Sequence, residues 1–121
     1  MDEGRGREKG ERIVRIYISG PITNVEDYEE KFEKAATALR SNGYKDIVNP
    51  AELAKVLPEG EYDEYMEICL KLLESCDRMV MLPGWELSRG CNIEYGFVKG
   101  YQATGGELFA QPIEIFLRHK L

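Results

Sequence analysis

The sequence predicts an α/β domain, with a mainly parallel sheet of four or five strands between two layers of helices. Three observations predict it. Short apolar or β-branched runs stop at Gly or Pro, as at 13–19 before Gly20-Pro21 and at 78–82 before Pro83-Gly84. Longer segments between them place apolar residues three and four apart, as in Tyr28, Phe32, Ala35, Ala36 and Leu39. Strand and helix then alternate, which calls for parallel strands with helical crossovers. Together these give the flavodoxin-like three-layer sandwich.

Each element has its own signal. The first strand covers 13–19. Thr23-Asn24-Val25-Glu26 reads as a capping box for the first helix, and Asn42-Gly43 ends that helix. A short strand follows at 46–48, and Pro50 starts another turn of helix. Pro58-Glu59-Gly60 breaks the chain. The next helix spans 62–76, with Tyr62, Tyr65, Cys69, Leu72, Leu73 and Cys76 facing inward. The third strand is 78–82, and a helix at 90–101 is closed by Gly105-Gly106. A fourth strand is expected at 107–110, while 112–121 fits strand or helix equally. Residues 1–11 are charged and Gly-rich without apolar period, which reads as a disordered tail before one domain at 12–121.

Composition narrows the function. The chain has 121 residues, the size of one domain. Its net charge of −6 argues against binding a nucleic-acid polymer, which needs a basic stripe. No run approaches the roughly 18 apolar residues of a membrane span. The charged N-terminus carries no signal-peptide pattern. Cys69, Cys76, Cys91 and the single His119 show no metal-ligand spacing, so no metal and no cofactor is expected. The free thiols point to a cytoplasmic protein.

In such sheets ligands bind beyond the carboxyl ends of the strands, where strand order reverses. Here that crevice lies between the loop at 19–23, with Ser19, Gly20 and Pro21, and the loop at 83–90. Glu94 is the most informative residue nearby. Phe97, Val98 and Tyr101 follow it at same-face spacing, so it begins the stripe that packs on the sheet, where a carboxylate is costly to bury. A surface Glu at a slightly rotated helix start fits the pattern equally. Ser88-x-Gly90 before it suits a plain N-cap or an anion cradle. Trp85, the only tryptophan, either stacks on a base or plugs the sheet end. Cys91 near the helix start lacks a partner base in the sequence.

The runs Ile16-Tyr17-Ile18-Ser19-Gly20-Pro21-Ile22, Asp77 at a hydrophobic strand, and Ser88-Arg89-Gly90-Cys91-Asn92-Ile93-Glu94 resemble the nucleoside 2-deoxyribosyltransferase superfamily. The Ser-x-Gly-x-x-x-Glu spacing is closest to its 2′-deoxynucleoside 5′-phosphate N-hydrolase branch. The Pro83-Gly84-Trp85-Glu86 loop is similar to an uncharacterised bacterial and phage branch. The resemblance implies a Glu94 nucleophile that displaces the base from C1′, oriented by Tyr17. It implies a nucleotide held by Ser88, close ligand approach at Gly20 and Gly90, and a homo-oligomer. The family's base-contacting Asp falls at Cys69, and a thiol is a poor substitute for a carboxyl group. Glu86 is the loop carboxylate placed to replace it. The competing expectations are a nucleotide-binding module without chemistry, for which Cys69 speaks, and a flavodoxin-like domain for an unrelated ligand.

Overall fold

A computed structural model describes residues 13–57 and 62–118. The tail at 1–11, the breaker at 58–60 and His119 lie outside the described residues.

Four strands form one sheet in the order β2-β1-β3-β4: β1 (Arg15–Ser19), β2 (Asp46–Val48), β3 (Arg78–Met81) and β4 (Phe109–Pro112). All three pairings are parallel, with Tyr17 opposite Val48 on one side and Met79 on the other. The helices are α1 (Tyr28–Ser41), α2 (Ala51–Ala54), α3 (Tyr62–Glu74), α4 (Arg89–Ala103) and α5 (Ile113–Arg118).

Strand periodicity sorts the core into two halves. Ile16 and Ile18 of β1 point to one face, where they meet Phe32, Ala35, Ala36 and Leu39 of α1, with α5 packed beside them through Ile113, Phe116 and Leu117. Tyr17 points to the opposite face, among Cys69 and Leu73 of α3, Val98 of α4, and Met79 and Met81 of β3. Helices therefore cover both faces, and the three-layer sandwich expected from the sequence is present. At the amino ends of the strands the Arg15 side chain donates to Asp46 (3.0 Å) while its backbone N–H donates to Asp77 (2.9 Å), tying three strands together.

Several boundaries differ from the sequence reading. Thr23 does not cap α1. The helix starts at Tyr28 behind Asp27, whose side chain makes no cap bond. Thr23 and Asn24 instead form a turn closed by the Val25 N–H on the Ile22 carbonyl (3.1 Å), with Asn24 at φ 63°. Asn tolerates that left-handed conformation, so the local turn outcompetes the capping box. The fourth strand sits two residues later than expected. The Gly105 and Gly106 amides close α4 on the Gln102 and Tyr101 carbonyls (3.0 and 2.9 Å), a Schellman ending that holds the chain back. Pro112, which disfavours a strand, is tolerated because β4 is an edge. β1 begins at Arg15, α3 stops at Glu74, and β3 stops at Met81. Met66, absent from the expected stripe, is buried in α3, while Tyr62 and Tyr65 are half-buried. The ambiguous C-terminal segment is helical over Ile113–Arg118.

No helix among the described residues is long and apolar enough to cross a membrane.

Candidate functional site

Two neighbouring strand ends and one helix create the site. Residues 17 and 19 share a face of β1 because side chains alternate along a strand. That face looks at α4, whose first turns carry Glu94 in toward the sheet. Tyr17 donates its hydroxyl to Glu94 Oε2 at 2.5 Å, and Ser19 donates to Oε1 at 2.7 Å. Glu94 is 6% exposed, Ser19 1% and Tyr17 fully buried. Of the two readings the helix pattern allowed, the surface position is ruled out.

Burial raises the Glu94 pKa above its ordinary value, and the hydrogen bonds from Tyr17 and Ser19 work against that rise. Each of the two bonds favours the charged carboxylate and offsets part of the cost of burying it. Tyr17 is itself pushed well up by burial and by the Glu94 charge, which keeps its proton in place as a donor.

Glu94 faces a cleft of about 820 Å³ at the carboxyl ends of the strands. The β1–α1 loop forms one wall, with Gly20, Pro21 and Ile22. Tyr62, Tyr65 and Met66 of α3 form another, and Ser88, Gly90 and Cys91 a third. The crevice is thus where the strand order placed it. Among the described residues Glu94 is the only carboxylate and Arg89 the only cation that line it.

Gly20, Pro21, Ser88 and Gly90 all line the cleft, as expected of them. Ser88 is also the N-cap of α4, accepting the Cys91 N–H at 3.2 Å. A Cβ on Gly20 would lie 2.8 Å from Leu82 and 3.0 Å from Phe32, so a larger residue there must displace those side chains. Ser19 does not line the cleft. Its hydroxyl is spent on Glu94, so it acts through that carboxylate and not on a ligand directly.

Trp85 and Glu86, expected at the crevice, do not line it. The 3-10 turn Trp85–Leu87 sets Trp85 against Tyr95 of α4, ring centroids 5.1 Å apart, and brings Leu87 to the cleft instead. Glu86 is exposed. Cys69 is fully buried in the core cluster beside Tyr17 and does not line the cleft. Burial pushes its thiol up, as it does that of Cys91.

One residue with a clear task was not singled out by the sequence. The Asn92 side-chain amide donates to the carbonyls of Glu86 (3.0 Å) and Ser88 (2.9 Å), fastening the loop to the first turn of α4. An Asn early in a helix is the signal that would have found it. Among the described residues, no group of three or more His, Cys, Asp or Glu is placed to hold a metal ion.

Residues 14–104 match the family model described as a domain of unknown function, DUF4406, which stands in the nucleoside 2-deoxyribosyltransferase-like clan. No curated protein and no solved structure matches the chain.

Proposed function

The chain belongs to the DUF4406 family, and from that premise we propose that it cleaves or exchanges the N-glycosidic bond of a 2′-deoxynucleoside 5′-monophosphate, with Glu94 as nucleophile. The observation that carries the reading is the buried Glu94 carboxylate, gripped by Tyr17 and Ser19 at the head of a cleft sized for a small molecule.

A Glu94 oxygen attacks C1′ and the C1′–N bond breaks, its electron pair leaving with the base. The product is a glycosyl ester on Glu94. Water then adds at C1′, loses a proton and releases the carboxylate, or a second base adds in its place. Splitting one hard displacement into two is the logic of retaining glycosidases. Those enzymes add a second carboxyl group for the leaving atom. Here no second carboxylate lines the cleft among the described residues, and the departing base takes up a proton as its bond to C1′ breaks.

A second reading, nucleotide binding without turnover, is favoured by Cys69, a thiol buried at the position where the resemblance expects the base-contacting Asp. Base release from a panel of 2′-deoxynucleoside 5′-monophosphates separates the two. Release by the wild type, lost in Glu94→Ala, is the expected result. Binding without release by the wild type would establish the second reading.

A further inference from the structure

The Tyr62 hydroxyl is the one buried side-chain polar atom among the described residues that lacks a hydrogen-bond partner. A buried donor left unmade is costly, so each such group asks for a reason. Its residue lines the cleft, and the hydroxyl lies 3.3 Å from where a Cβ on Gly90 would stand, against the first turn of α4. Burial raises the Tyr62 pKa while the Arg89 charge opposes the rise. The net upward shift leaves a phenol, able to donate.

Arg89 supplies the second donor. Its guanidinium lies 5.1 Å from the Tyr62 ring centroid, and it pairs with no carboxylate among the described residues. Arginine has donors only and fits oxyanions with two parallel bonds. Among the described residues neither the Tyr62 hydroxyl nor the guanidinium over its ring has an acceptor, and together they suit an anionic oxygen group. Arg89 and Glu94 both line the cleft from the first turns of one helix, so an anion held at Arg89 belongs to the same ligand that meets Glu94.

We propose that Tyr62 and Arg89 form the subsite for the substrate's 5′-phosphate and so select nucleotides over nucleosides. This rests on the deoxynucleotide reading above and adds to Ser88 two residues to which the family resemblance assigns no role. Arg89 also offsets the repulsion between the phosphate and the Glu94 carboxylate in the same cleft.

The test is calorimetric binding to the full chain carrying Glu94→Gln, which prevents turnover during titration. The probes are the four common 2′-deoxynucleoside 5′-monophosphates, the matching nucleosides and inorganic phosphate. A monophosphate should bind about tenfold or more tighter than its nucleoside, and adding Arg89→Met should shrink that ratio to about twofold. Tyr62→Phe should weaken the nucleotide about threefold and leave the nucleoside unchanged, which also reports an intact fold. Inorganic phosphate should compete with the nucleotide, and less so in Arg89→Met. Equal affinity for nucleotide and nucleoside, a ratio that survives both substitutions, or no binding of any probe would overturn the proposal. Base release by the wild type is scored separately. Release without phosphate preference strikes this subsite alone, and phosphate preference without release strikes the Glu94 chemistry alone.

Discussion

Glu94 is held at a cost to the fold. Its pKa is raised by burial more than its two hydrogen bonds lower it. A carboxyl group with a raised folded pKa binds its proton more tightly when folded. Its stabilising contribution is therefore present below the unfolded value near ~4.3 and is lost as pH rises through the folded pKa. Glutamine does not ionise and still offers an oxygen to Tyr17 and an amide to Ser19. Glu94→Gln should therefore melt above the wild type at pH 8, with the gap closing toward pH 4. Thermal melts across that range check this, and a gap that is constant or widens on acidification contradicts it. In the wild type, the low-pH limb of kcat/KM should lie above the ordinary glutamate range. Ser19→Ala should move it higher still, because one bond favouring the anion is gone. The importance of Glu94 was legible from its place at the head of an apolar stripe. The work of Ser19 was not: a serine ending a strand beside glycine looks like loop, and only the register of β1 against α4 turns its hydroxyl onto the carboxylate.

At the level of elements, the loop after β1 must run close to both neighbouring layers. Gly20 allows this, and Gly20→Ala would press a methyl group into Leu82 and Phe32. Overpacking of this kind costs about 1–3 kcal/mol. Since 1 kcal/mol moves the melting temperature of a small domain by about 4–8 °C, a drop of at least that size is expected in calorimetry. An unchanged melting temperature would mean that Leu82 moves aside freely. Elements with sharp punctuation were readable in the sequence: β2 was placed at its observed bounds, and α1 ends where Asn42-Gly43 said it would. The misplaced ones had competing local chemistry. Asn24 drew the chain into a turn before α1, and the Gly105-Gly106 ending delayed β4 into a proline.

Across the whole molecule, the strand order puts the ends of β1 and β3 side by side and makes the cleft. That much followed from alternating strands and helices. What the alternation did not carry was the turn of the 85–87 segment, which sends Trp85 to Tyr95 and leaves Arg89 and Tyr62 as the polar wall. Both were visible as residues, yet their meeting depends on how α3 and α4 cross. The chemistry drawn from this assembly stands on one covalent bond. The measurement that reaches it directly is the mass of the protein quenched in acid during steady base release, followed by mapping of the peptide that carries Glu94. The account expects a fraction of the chain heavier by one deoxyribosyl phosphate, with the added mass on Glu94. Steady base release with that peptide unmodified, or with the mass on another residue, would contradict it.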